Sequence, residues 1–498
     1  MVHRQLPPLP RYRKDAVTRR LCAAVHLDED FARQVREEFV EDGMKAHGLS
    51  LGINLVAVVR HARVAAERMD VRDRQLGWLF AALCTAVFLW FYGLVSGGSV
   101  VAASGCYAVF AVLGAAWWLV HRAEAKARAA ALDVFESAEA PEKLAPPVAS
   151  EVETRLQELQ QKRTNFVPYA ADAERTTPFV GSGKKIKEAV WQPIDVSRPA
   201  VSPTGGKLTI KPFDAVALHT YVANEMAHIA GLEGLRAKNR LYVLGTHVWQ
   251  LGPEALPDPL GRPRAQVPKQ LVQAGLAQPG AGMRTYLSLE RVGEGGRVVV
   301  SMHLRARLHH PSLTWEVAAY AIPPVHRRHA RVDYLPRDGF QQWWSLMRFA
   351  TGRTWPALRG AIGRNHRRGS AANRRARQLE NMRKEISKRH AVYDYGADGS
   401  LRDRVSDWGE MGHSDRTDSQ DFLHRLQQGV LTATERFLKD HNVDTSSFDQ
   451  AQQVINMQTY NFSGDITGAS NFGNNGQINI GQGPQPGPAG GGPAAGRP

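Results

Sequence analysis

Hydrophobic and polar positions change rhythm several times along this chain, and the longest departure falls between Leu76 and Val120. Residues 76–96 (LGWLFAALCTAVFLWFYGLVS) and 100–120 (VVAASGCYAVFAVLGAAWWLV) contain no charged residue. Each run is 21 residues long, about 31 Å as an α-helix, against a hydrocarbon core about 30 Å thick. Only Gly97, Gly98 and Ser99 separate the runs, so the pattern predicts an antiparallel transmembrane hairpin. A buried hairpin in a soluble protein is the weaker alternative, because one soluble core rarely needs two successive uncharged runs of this length. Small residues at four-residue spacing, Ala102/Cys106 and Ala111/Ala115, permit close helix contact within the hairpin or between chains. Neither run carries Asp, Glu, Lys, Arg or His, so the pair reads as an anchor rather than an ion pathway.

The flanks set an orientation. Arg60, Arg63, Arg68, Arg72 and Arg74 precede the first run, Arg122, Lys126 and Arg128 follow the second, and the turn is uncharged. By the positive-inside rule both termini face the cytoplasm. Trp78, Trp117 and Trp118 then fall at the inner interface, with Trp90 and Tyr92 towards the outer one. The expected location is the inner (plasma) membrane, multi-pass.

Elsewhere the rhythm is that of an α+β protein. Residues 15–75 read as helical: Asp28 can cap a segment with Phe31, Val35 and Phe39 four apart, and 53–74 runs as an Arg-rich helix into the hairpin. Residues 123–137 continue as a helix, Pro141, Pro146 and Pro147 mark a linker, and 150–162 is a short polar helix. Between 165 and 333 Gly, Pro and β-branched residues become frequent. A helix is expected over 214–230, a strand over 240–249, and three antiparallel strands over 284–292, 297–308 and 313–322. Residues 338–363 crowd Phe340, Trp343, Trp344, Met347 and Phe349 among Arg348, Arg353 and Arg359. That pattern suits a helix lying among lipid headgroups as well as it suits a buried amphipathic helix. A basic run follows over 364–389, then a helix over 417–441. The tail repeats NFSGDI and NFGNNGQI within 456–482; disorder is the plainer reading, stacked short strands the other.

The expected organisation is an α+β membrane protein with a cytosolic helical N-terminal region (1–75), the transmembrane hairpin (76–120) and a helical linker (121–164). An α+β domain with an antiparallel sheet (165–337), an interfacial aromatic helix (338–365), a basic helical region (366–455) and a mostly disordered Asn/Gly/Pro-rich tail (456–498) complete it.

Composition narrows the function classes. With 498 residues, 43% hydrophobic and 22% charged, the chain is not wholly disordered. A mean hydropathy of −0.34 excludes a polytopic transporter. Three cysteines without metal-type spacing exclude a disulfide scaffold and a zinc ribbon. The formal charge of +15 fits anionic lipid, nucleic acid or topology alone. Residues 364–389 carry ten Lys/Arg and no Phe, Trp or Tyr, which disfavours base stacking. Their place after the aromatic segment of a tethered chain favours lipid headgroups over nucleic acid, with a solvated charged helix as an equally strong alternative.

Candidate chemistry is sparse. Residues 178–185 (PFVGSGKK) miss the GxxxxGK[ST] spacing of a phosphate loop. Glu225/His228 and Glu410/His413 have the E-x-x-H spacing that can aim two metal ligands from one helix face, although Glu410 follows a loop-like stretch. Glu225 and His228 are therefore the metal candidates, with an ordinary exposed or satisfied histidine as the stronger alternative. His309, His310, His326 and His329 read as basic surface at strand ends. No HExxH or GxSxG motif occurs, and no catalytic residue or cofactor is assigned.

TRRLCAAVHLDEDF (18–31), the hairpin, PFVGSG (178–183), EVAAYAIPP (316–324) and HNVDTSSF (441–448) resemble uncharacterised two-helix membrane proteins of high-GC Gram-positive bacteria. The resemblance implies an architecture and no activity. The reading is a membrane-anchored cytosolic scaffold, sensor or adaptor; the alternative is a membrane-tethered enzyme or ligand-binding module with a pocket in 165–337. Expected partners are the lipid bilayer, anionic headgroups along 339–389 and a second copy of the chain; nucleic acid is not expected.

Overall fold

The computed structural model describes residues 12–448 apart from 42–43, 161, 172–176, 229–231, 281, 389–392 and 447. The 456–482 repeat lies outside the described residues.

Helices α1 (Ala16–Leu27) and α2 (Glu29–Arg36) open the chain. Asp28 does cap α2, its carboxylate accepting from the backbone N–H of Asp30 and Phe31 at 3.1 Å. Helix α3 (Leu55–Val95) begins at Asn54, whose side-chain oxygen accepts from the Ala57 amide, and α4 (Ser99–Glu136) returns beside it. The Arg-rich segment before the first apolar run and the segment after the second are thus continuous with the runs themselves. Both helices are long and apolar enough to cross a membrane.

Their two halves differ in surroundings. Val56, Val58, Ala62, Ala65 and Met69 of α3 are buried against α1 and α2, together with Ala131 and Val134 of α4. Beyond Leu76 only Leu83, Ala86 and Gly93 of α3 remain buried, while Phe88, Val95, Val100, Tyr107 and Phe110 are exposed. The helices touch closely there. A Cβ on Gly93 would lie 2.4 Å from the Ala102 nitrogen, and one on Gly105 would lie 2.6 Å from the Trp90 nitrogen. Ala102 therefore faces the other helix, whereas Ala111 and Ala115 are exposed. Gly105→Leu is expected to wedge the pair apart at a cost of about 1–3 kcal/mol, seen as a lower melting temperature in detergent. Gly114→Leu, with nothing within 4 Å of its Cβ position, should leave melting unchanged.

After α5 (Ser150–Glu158) come β1 (Phe166–Tyr169), β2 (Lys184–Val190), β3 (Ile194–Asp195), α6 (Ala215–Met226), β4 (Arg236–Leu244), α7 (Lys269–Ala277), β5 (Met283–Val292), β6 (Val299–His309) and β7 (Ser312–Ile322). The sheet order is β1-β4-β5-β6-β7-β2, with β3 also on β7. The sheet is mixed rather than antiparallel, because β1 runs parallel to β4. The strand expected over 240–249 stops at Leu244. There the chain turns at Gly245, where a Cβ would come 2.3 Å from the Gly396 nitrogen.

Side chains alternate across the sheet. Leu289, Met302, Trp315 and Ala319 face α6 and α10 (His413–Asp440), whose Leu426, Val430 and Phe437 complete that core. Val299, Tyr320 and Ile322 face the other way, under Leu49, Leu51 and Phe179. Burial on both faces explains why these strands read as nearly continuous apolar runs.

The aromatic segment and the basic run form a single helix, α8 (Gly339–Lys388). Arg, Ala, Gln, Glu and Lys dominate after Gly363 and are good helix formers, so nothing in composition stops the helix at the change of character. Its Ala350, Leu358 and Ala361 pack on Leu76, Leu83, Ala116 and Val120. Helix α9 (Leu401–Arg404) follows and anchors Arg402, which donates to the carbonyls of Gly296 and Arg297.

Candidate functional site

Where α2, α3, α4 and α8 meet, a cleft of about 680 Å³ is lined by ten arginines and six carboxylates. Beneath it lies Asp73, on α3 three residues before the first apolar run, its carboxylate fully buried. Arg364 donates to it from Nε at 2.9 Å and Nη2 at 3.1 Å, Arg72 at 2.7 Å and Arg33 at 3.5 Å, and Arg368 also pairs with it. Asn365 donates to the Asp73 carbonyl at 3.0 Å. Burial alone would raise the Asp73 pKa; the Arg364 hydrogen bonds and the Arg72 charge outweigh it and hold the carboxyl below its ordinary value. A four-arginine node thus ties α8 to α3 at the foot of the apolar runs. Composition carries one sign of it: in an arginine-dense stretch, only Asp70 and Asp73 are acidic between Arg68 and Arg74.

The flanking cations divide by role. Arg74, Arg122 and Lys126 are exposed. Arg60 bonds Glu153 at 2.7 Å, Arg63 bonds Glu67 at 2.8 Å, and Arg128 reaches Glu124 at 2.8 Å and Ser345 Oγ at 2.7 Å. Arg68 donates to the His26 carbonyl at 3.2 Å, and burial lowers its pKa. Trp78 and Trp118 are exposed, and Trp117 Nε1 donates to Thr351 Oγ1 on α8 at 3.2 Å. This bond places the exposed Trp343, Trp344 and Trp355 of α8 beside the foot of the hairpin. At the far end of the hairpin Tyr92 is exposed and Trp90 half-buried.

A second polar centre lies inside the sheet. His303 shares hydrogen bonds of 2.9 Å with Ser182 Oγ through Nε2 and with Ser288 Oγ through Nδ1, and Tyr242 OH lies 3.1 Å from Ser288 Oγ. Phe179 stacks on the imidazole at 4.2 Å. A Ser–His pair invites a nucleophile reading, yet Ser182, His303 and Ser288 are fully buried. The PFVGSG turn is instead a tie. Gly181 and Gly183 adopt φ of 87° and 89° while pressed onto the Leu49 and Ala321 carbonyls, and Ser182 plugs into the sheet.

Glu225 and His228 do not converge on a cavity: Glu225 pairs with Arg436 at 3.1 Å and exposed His228 bonds the Asn224 carbonyl. Glu410 pairs with Arg327 at 2.8 Å, and His413 opens α10. Among the described residues no group of three His, Cys, Asp or Glu could hold a metal ion. His329 is not basic surface. It is buried against Phe31, and burial pushes its pKa down to about 4. A second cleft of about 590 Å³ between α6, α7 and strands β5 to β7 is lined by Arg284, Arg305, Arg307 and Glu316, which sequence patterning did not reveal.

Burial also keeps His26, His61, His219 and His303 below the ordinary imidazole pKa, His219 at about 4. Folded-state pKa values below the unfolded value mean that stability is present above pH 6.5 and is lost as pH falls. For His219 and His329, both near 4, the loss is about 2 kcal/mol each between pH 7 and 5. Denaturant titrations at the two pH values should show this loss, and His219→Gln should reduce the pH slope by about one proton.

Fold and site together define an α+β protein with a mixed sheet, many helices and two long apolar helices tied to its cationic base. Residues 190–479, more than half of the chain, match the family described as the AbeC-like domain, and the chain belongs to that family. No curated protein and no solved structure matches the chain. The matched span holds α6 to α10 and β3 to β7, and the two apolar helices precede it.

Proposed function

We propose that this protein is a bacterial inner-membrane scaffold, sensor or adaptor, anchored by α3 and α4 as a two-span hairpin with both termini in the cytoplasm. The observation that carries this reading is the change along α3 at Leu76. Its first half is packed in a helical core, whereas its second half exposes a continuous apolar surface rimmed by Trp78 and Trp118. Such a surface is costly in water and ordinary in lipid. Helix α8 then lies along the headgroup region, with its tryptophans at the interface and its arginines on the cytoplasmic side. The sheet domain faces the cytoplasm and carries the partner-binding surface.

Alkaline carbonate extraction of membranes holding the full chain tests the anchor. The protein should stay in the membrane pellet; release into the supernatant contradicts it. The cleft lined by Arg284, Arg305 and Arg307 favours a second reading, a tethered ligand-binding module. Under it, Arg284→Ala should abolish retention of a small anion that co-purifies with the protein.

A further inference from the structure

The cleft above Asp73 holds more positive charge than its own carboxylates neutralise. Six of its ten arginines pair with acidic side chains, through contacts to Asp73, Asp70, Glu29, Glu37 and Glu41. Arg68, Arg331, Arg353 and Arg367 make no salt bridge to a carboxylate among the described residues, although all four line the same space. Arg68 is held by the His26 carbonyl, Arg367 Nε donates to the Gly363 carbonyl at 3.2 Å, and the Arg353 guanidinium lies over Phe349 at 5.8 Å. Each is restrained by a neutral group with its charge left over. Guanidinium forks held in this way match phosphate oxygens, which accept two parallel N–H bonds from one arginine.

The walls of the cleft are also graded. Val120, Phe349, Pro356 and Ala357 line the edge where the bare halves of α3 and α4 begin, and the ten arginines with the six carboxylates line most of the remainder. A volume of about 680 Å³ is enough for a compact ligand. We infer that this cleft is a binding site for a phosphate-bearing anion, gripped by Arg68, Arg353 and Arg367 between α3 and α8. The apolar edge would carry the first carbons of an acyl chain if the anion is a lipid headgroup; that source rests on the anchor reading, whereas a soluble phosphate does not. Bound there, the anion couples α8, and through it the sheet domain, to the hairpin.

The test is native mass spectrometry of the full-length protein in mild detergent, titrated separately with phosphatidylglycerol, phosphatidylcholine and inorganic pyrophosphate. Phosphatidylglycerol should bind in fixed stoichiometry and phosphatidylcholine should not. Replacing Arg68, Arg353 and Arg367 together by Gln should weaken binding at least about tenfold. The same charge change at Arg374, Arg377 and Arg383, exposed on α8 and outside the cleft, should leave binding unchanged. Binding of pyrophosphate alone, with the same dependence on the three cleft arginines, supports the site and assigns it to a soluble phosphate. Equal binding by the two triple variants, or no binding of either anion, overturns the inference. Should the cleft triple variant melt abnormally, Arg68→Gln and Arg367→Gln singly carry the comparison. Carbonate release of the wild-type protein would sink the anchor reading while leaving the pyrophosphate result standing.

Discussion

Asp73→Ala is expected to lower stability by about 3–5 kcal/mol, because it removes the buried carboxylate shared by Arg33, Arg72, Arg364 and Arg368 and leaves Arg364 with no carboxylate, while the other three keep Glu29 or Asp70. The effect should be local as well as large, since these arginines come from α2, α3 and α8. A disulfide between Gly77→Cys and Asn365→Cys in a background lacking native cysteines reports the α3–α8 contact directly: a Cβ on Gly77 lies 2.9 Å from Asn365 Nδ2. It should form readily with Asp73 present and poorly in the alanine variant. Asp73→Asn removes the charge and keeps the shape, so it should reproduce most of the loss. Unchanged melting in both variants would show that the node does not hold the two helices together.

Glu290→Gln should produce a loss of similar size within the sheet. Arg240 and Glu290 sit on paired strands β4 and β5, with side chains at 1% and 0% exposure, and their guanidinium and carboxylate form a two-pronged pair. Arg240 Nε also donates to the Thr164 carbonyl at 3.1 Å, which ties the entry to β1 onto the sheet. The glutamine leaves a buried guanidinium uncompensated, at a cost of about 3–5 kcal/mol in denaturant unfolding. Replacing both residues by methionine removes the unpaired charge together with the pair, and should recover most of that loss. Equal destabilisation in the single and double variants would mean that side-chain volume, not charge, governs the position.

Local chemistry made much of this architecture legible in the sequence. The two apolar runs, the Asp28 cap and the β5–β6–β7 meander are visible because periodicity and capping are short-range signals. The elements that escaped are those whose reason lies elsewhere in the chain. Strand β1 is four residues long and forms only because β4 offers a parallel edge. Strand β2 begins with charged Lys184 and Lys185 and is recruited by β7. The end of β4 is set by the approach of Gly396, about 150 residues away in sequence. The arginine-lined cleft was half legible: residues 364–389 stand out as basic, yet nothing local shows that Asp73, nearly 300 residues earlier, gathers their first turns. His329 escaped for the same reason, its burial being supplied by Phe31 from the far end of the chain.

The measurement that bears most directly on the account is the accessibility of single cysteines to a membrane-impermeant maleimide in intact cells. One variant places Cys at Ser99, in the hairpin turn, and the other at Arg122, at its foot, each in a background without Cys22, Cys84 and Cys106. Labelling of the turn in intact cells, with labelling of the foot only after permeabilisation, is the predicted result. Equal labelling of both positions in a soluble fraction, or labelling of the foot from outside, would contradict the account.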